Sequence, residues 1–195
     1  MDDDEDVGPD LSAARDALLA EFLRVFPTRR PEPFPPLVDN LHSSDAVQAA
    51  AAFAEARDWT SLDGEWLHAV PNTDNGLTTA RCFLSNAALR FYLPAYLTAS
   101  LKLQLDPMHT VTLGFDVRTR DALIDEARPE RGSWGAYART RWADLTPGQV
   151  RAVARFMEWH VALDERCIEV TRGLSRHRDT AEALAYYWAP RAAGF

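Results

Sequence analysis

Five prolines fall between residues 27 and 36 (Pro27, Pro31, Pro33, Pro35 and Pro36), and no chain carries such a run through a helix or a central strand. Proline fixes φ, donates no backbone hydrogen bond and disfavours helix in the residue before it. Residues 27–41 therefore read as an extended strap across the surface, with Phe34, Leu37, Val38 and Leu41 as its apolar anchors. A proline-rich ligand for a recognition domain is the functional alternative. The apolar residues interleaved with the prolines favour a strap held by its own protein.

Helical periodicity lies on both sides of the strap. Leu11, Ala14, Leu18, Leu19, Phe22, Val25 and Phe26 recur at helical spacing, with Arg15, Asp16, Glu21 and Arg24 opposite, so an amphipathic first helix stops at Pro27. Ser44 and Asp45 open an alanine-rich helix to about Arg57, and Thr60 or Ser61 opens a shorter one bearing Leu62, Trp66, Ala69 and Val70. Ser85 caps a helix through Asn86, Leu89, Phe91 and Tyr92, in which Pro94 removes one hydrogen bond and either kinks the helix or starts another. Thr146, Pro147 and Gln149 form a capping box with proline at the first helical position, which predicts a long helix to about Val170. Asp179 and Glu182 repeat the box spacing ahead of a last helix that carries Leu184, Tyr187 and Trp188 and ends at Pro190.

Between Met108 and Val117 the apolar residues Val111, Leu113, Phe115 and Val117 alternate with Thr112, Gly114 and Asp116, the period of a half-buried strand. Its nearest candidate partner is Leu77 to Leu84. Pro71 to Gly76 is a turn cluster, and Asp121 to Arg128 is a candidate short helix. The expected fold is mainly α: a single-domain bundle of about six helices over residues 11–190, with at most one small β element, behind a disordered acidic tail at residues 1–10.

Composition decides which classes of function survive. At 195 residues, 47% hydrophobic and 26% charged, the chain has the make-up of an ordinary globular protein with one core. Its net charge of -8 is uneven. Residues 1–117 hold 8 basic and 18 acidic side chains, residues 118–195 hold 13 and 11. Duplex nucleic acid needs clustered cations and is not expected as a partner. A membrane span is not expected either, because the most apolar stretch, Phe91 to Leu105, is broken by Pro94, Ser100, Lys102 and Gln104. Asp2, Asp3, Asp4, Glu5 and Asp6 are the opposite of a basic secretory start, and Cys82 and Cys167 make no disulfide framework, so a reducing cytoplasm is expected.

Chemistry-bearing motifs are few. The five histidines, His42, His68, His109, His160 and His177, include no pair at the spacing that sets two ring nitrogens on one helical face for zinc. His160 and Asp164 are four apart on the long helix and either form a solvated pair or share a divalent ion. Cys82, beside Phe83 and Leu84, reads as packing before it reads as a nucleophile. No phosphate-cradling glycine loop and no Gly-x-Ser-x-Gly elbow occurs. No catalytic residue is assigned and no cofactor is expected.

The aromatic residues are the most distinctive feature: Phe91, Tyr92 and Tyr96 around Pro94, with Trp59, Trp66 and Trp188 elsewhere. Such rings bring large apolar area and need partners for their polar atoms, for which Arg90 or Asp63 would serve. They read as core first. The second reading makes Arg90, Tyr92 and Tyr96, with Trp59 and Trp188, the edge of a binding groove, since Tyr, Trp and Arg anchor interfaces.

These residues also carry a resemblance. Trp59 with Leu62, then Phe83, Leu84, Ser85, Ala88 and the run Arg90 to Leu97 (RFYLPAYL), then Leu145, Thr146, Pro147 and Gln149 with Val150, Val153 and Phe156, and finally Ala183, Leu184, Tyr187 and Trp188 resemble the bacterial family known as domain of unknown function 6714. The acidic tail and Thr119 to Arg141 match nothing characteristic of it. The resemblance implies no activity, and a fold by itself supplies none. Two functions of different class follow from the residues. One is a non-catalytic protein that binds another protein as an adaptor or neutralising partner; the alternative is a metal-assisted enzyme drawing on Asp63, Glu65, His160 or Asp164.

Overall fold

The computed structural model describes residues 8–68, 80–105, 140–171 and 177–194. These are helical, with no sheet among them. The strand expected at 108–117, the turn at 71–76, the helix at 121–128 and most of the acidic tail lie outside the described residues. Although the length of the chain suggests one core, the packing falls into two compact units, Phe26–Val111 and Met1–Val25 with Thr112–Phe195.

In the first unit the strap leads into α2 (Ser44–Glu55), a 3-10 turn (Trp59–Ser61), α3 (Gly64–His68), a second 3-10 turn (Ala80–Cys82) and α4 (Asn86–Leu101); α1 (Pro9–Val25) belongs to the other unit. Helix α4 is its axis. From Ala88 to Leu101 only Arg90 and Thr98 are not buried, as expected of a helix that is apolar all round. It runs through Pro94 without a second start. Ser85 explains where it begins: its Oγ accepts the Ala88 N–H at 3.3 Å and donates to Pro36 O at 2.6 Å. One hydroxyl thus caps the helix and pins the strap.

The strap is extended, as its prolines require, but its anchoring differs from expectation. It is held by backbone pairing of Arg29 with Asp58 and Val38 with Leu84, and by the Trp59 indole N–H, which donates to Pro27 O at 2.8 Å. Leu84 pairs with Val38, and residues 80–82 form a 3-10 turn. Val38 is buried and Phe34 half-buried, whereas Leu41 is 62% exposed. Helix α2 is capped one residue earlier than expected, by Ser43, whose Oγ accepts from Ala46 N–H at 3.1 Å. At the start of α3, Gly64 lies so close to Gln104 that a Cβ there would sit 2.8 Å from the Gln104 carbonyl oxygen.

In the second unit α1 packs against α5 (Pro147–Thr171). The pairing is antiparallel, because contacts step down one helix as they climb the other. Gln149 Nε2 donates to Val25 O at 3.3 Å, Arg155 to Glu21 at 3.1 Å, and the Trp159 indole to Leu11 O at 2.9 Å. The capping box is present in full, with Thr146 N–H on Gln149 Oε1 at 3.0 Å and Gln149 N–H on Thr146 Oγ1 at 3.3 Å. Gln149 thus closes the start of α5 and the end of α1 together.

The last helical stretch begins at His177, two residues before the expected Asp179, and does not stop at Pro190. It runs as α6 (His177–Ala183), a π-helical turn (Leu184–Trp188) and α7 (Ala189–Ala193). Proline clashes with the carbonyl four residues back in an α-helix, and the wider π turn, with Ala189 N–H on Leu184 O, relieves that clash. No helix among the described residues is long and apolar enough to cross a membrane.

Candidate functional site

Helix α2 ends with no basic residue in its last turn, so its final carbonyls need donors from elsewhere. They find them in Arg30 of the strap and Tyr92 of α4. Arg30 donates to Phe53 O at 2.9 Å, Ala54 O at 2.8 Å and the Tyr92 hydroxyl at 3.0 Å. The Tyr92 hydroxyl donates to Ala56 O at 2.5 Å and also lies 3.1 Å from Phe53 O. A guanidinium fork and a phenol thereby close the negative end of the α2 dipole.

Rings gather around this cluster. Tyr92 packs on Phe53 at 4.5 Å and on Phe91 at 4.8 Å, Phe53 on Trp66 at 5.1 Å, and Phe91 on Phe34 at 5.7 Å, all tilted or edge-on, the arrangement favoured by ring quadrupoles. Arg30 stands over Phe34, 5.5 Å from its centroid. The expected site residues Trp59, Tyr92 and Tyr96 are all inside the fold, and only Arg90 is half-buried. Their placement is that of core side chains.

Burial raises the proton affinity of both tyrosines. It is the larger effect at Tyr92, where the Arg30 charge and hydrogen bond oppose it, and at Tyr96, where Arg81 opposes it and Cys82 adds to it. A phenol whose folded pKa lies above its unfolded value stabilises the fold fully below about pH 10, and that contribution is lost as pH rises through the folded value. Alkaline titration of phenolate absorbance should show Tyr92 and Tyr96 ionising only together with loss of helical circular dichroism. Ionisation of all five tyrosines before any such loss would contradict their burial.

Trp188 belongs to the other unit. It is fully buried on the π turn, 6.0 Å from Trp142 and 5.1 Å from Tyr187, both edge-on. Arg191, one turn later, donates to the Tyr187 hydroxyl and to Ala143 O, each at 3.0 Å. This tie joins the C-terminal helix to the segment that precedes α5.

The groups considered for metal chemistry divide between the units as well. Asp63 caps α3 by accepting from Trp66 N–H at 2.9 Å, and Asp63 and Glu65 are exposed. His160 and Asp164 lie on α5 with Nδ1 3.4 Å from Oδ2. Among the described residues no three His, Cys, Asp or Glu side chains gather as a metal site, and Cys82 is exposed.

Arg30 and Trp142 escaped the reading of the sequence. The signal for Arg30 was the bare C-terminal turn of α2; nothing local marked Trp142. Residues 38–192, which take in every helix from α2 to the Pro190 segment but leave out α1 and the Arg30 part of the strap, are matched by the model of a family of unknown function, DUF6714. The chain belongs to that family. No curated protein and no solved structure matches it. In this DUF6714 member, the run Arg90 to Leu97 (RFYLPAYL) is the axis of one unit, and Leu184, Tyr187 and Trp188 form the π turn of the other.

Proposed function

We propose that this DUF6714 protein is non-catalytic and works by binding another protein in a bacterial cytoplasm, as an adaptor or neutralising partner. The observation that carries the reading is the outer face of α2. Val47, Ala51 and Ala54 stand at i, i+4 and i+7 and are exposed, with Ala50 beside them half-exposed and Leu41 exposed just upstream. Single exposed apolar residues need no explanation, but an aligned helical face is the form in which helices meet partners. The acidic balance of residues 1–117 suits a basic partner and a salt-sensitive encounter.

The test is a pull-down from source lysate at several salt concentrations, with the natural protein beside Ala51→Glu. Ala51 is exposed, so that variant should fold with unchanged circular dichroism. The reading expects a stoichiometric partner retained by the natural chain and lost from Ala51→Glu. Retention of nothing at any salt, or equal retention by both, overturns it. A metal-assisted enzyme drawing on Asp63, Glu65, His160 or Asp164 is the second reading, and its support is the His160–Asp164 pair on α5.

A further inference from the structure

Leu23 is 56% exposed on α1, and it does not stand alone. Helix α1 turns Leu18 and Phe22 into its unit, while Ala13, Asp16, Ala17, Ala20, Leu23 and Arg24 are all exposed. At about 100° per residue these six fall within one sector of roughly 120°. The side of a surface helix opposite its core is ordinarily polar. Here it is an apolar face carrying one carboxylate and one guanidinium.

The placement of the two charges selects the occupant. Asp16 and Arg24 stand four residues on either side of Ala20. Two copies of α1 laid antiparallel about a two-fold axis at Ala20 bring Asp16 of each level with Arg24 of the other, and Leu23 level with Ala17. Opposite charges then meet at both ends of the contact and a large side chain lies beside a small one, which is the self-complementarity that an isologous interface requires. Each charge also has a neighbour on its own helix, Arg15 for Asp16 at 3.2 Å and Glu21 for Arg24 at 3.3 Å, but the Asp16 and Arg24 side chains are 68% and 73% exposed. Pairs so exposed hold their partners weakly, so both side chains are free to turn to a second copy. Helix α1 has 17 residues, a length of about 25 Å. One helix pair of that size buries less than the roughly 1,200–2,000 Å² of a standard interface, which sets the affinity in the micromolar range.

We infer that the outer face of α1 is a self-association surface, through which two copies of this chain form a weak antiparallel dimer centred on Ala20. It lies on a different helix from the α2 face and is independent of the protein-binding reading.

Sedimentation velocity of the untagged full-length chain across about 1–500 μM tests this, in reducing buffer so that the exposed Cys82 does not cross-link copies. The natural chain is expected to pass from monomer to dimer within that range. Asp16→Arg and Arg24→Asp each set like charges level with one another at both ends of the contact, and each should weaken dimerisation by about tenfold or more. Mixed in equal amounts, the two variants again present opposite charges at each level and should form a heterodimer with most of the natural affinity. Both positions are exposed, so the variants should keep the natural circular dichroism. A monomer at every concentration, a dimer indifferent to both substitutions, or a mixture that recovers no association overturns the inference.

Discussion

Trp188→Ala should lower stability by about 3–5 kcal/mol, the range for removing a large buried ring whose cavity its neighbours do not refill. In a chain of this length that corresponds to a fall in melting temperature on the order of 10 °C. Trp188 is fully buried and meets Trp142 and Tyr187 edge-on, and the π turn on which it sits packs against α5. Its loss removes contacts from three elements together. Trp188→Phe retains an aromatic edge and should recover most of the deficit. Urea denaturation monitored by far-ultraviolet circular dichroism measures both variants. A cost below about 1 kcal/mol for the alanine variant would mean that the ring does not close this core.

The second large effect is expected at Arg30. Arg30→Ala strips two charge-assisted bonds from α2 carbonyls and one from the Tyr92 hydroxyl. The expected cost is about 2–3 kcal/mol, because two of the acceptors left behind, Phe53 O and the Tyr92 hydroxyl, are partly buried. Arg30→Lys should recover little of it, since one ammonium cannot reproduce the fork that reaches Phe53 O, Ala54 O and Tyr92 together. Tyr92→Phe removes the donor to Ala56 O and should cost about 1–2 kcal/mol. As both residues serve the same helix end, the double variant should cost less than the sum of the single ones, by about 1 kcal/mol. Strict additivity would mean that they do not act as one cap.

Local chemistry was legible where a residue and its partner lie within one turn. Thr146 and Gln149 read as a capping box and form one, Ser85 caps α4, and α1 stops before Pro27. The strap was legible for the same reason, because proline acts on its own backbone and its neighbour's. The errors are equally local in origin. Ser43 and Ser44 offer the same hydroxyl, and which of them caps depends on where the incoming strap leaves the chain. Pro190 reads as a stop because a proline in an α-helix costs about 3 kcal/mol. A π turn over Leu184–Trp188 removes that clash, and it is stabilised by burying Trp188, a term absent from the local sequence.

The candidate sites show the division most clearly. The sequence marks Trp59, Tyr92, Tyr96 and Trp188 as unusual, but residue type alone is the same for a ring in a core and a ring on a rim; packing puts all four inside. It places His160 and Asp164 on one face of α5, since that follows from the helical repeat. Whether the ring is buried depends on neighbours far along the chain. Arg30 shows the limit: 23 residues from Phe53 and 62 from Tyr92, it is joined to them only when the strap crosses the end of α2. By itself, then, the sequence determined the helical class, the strap, the caps and the acidic balance, all of them set by backbone sterics, short-range hydrogen bonding and composition. Tertiary structure alone decided the two units, the cap on α2, the passage through Pro190 and the burial of the aromatic residues, because each depends on groups distant in sequence being desolvated together.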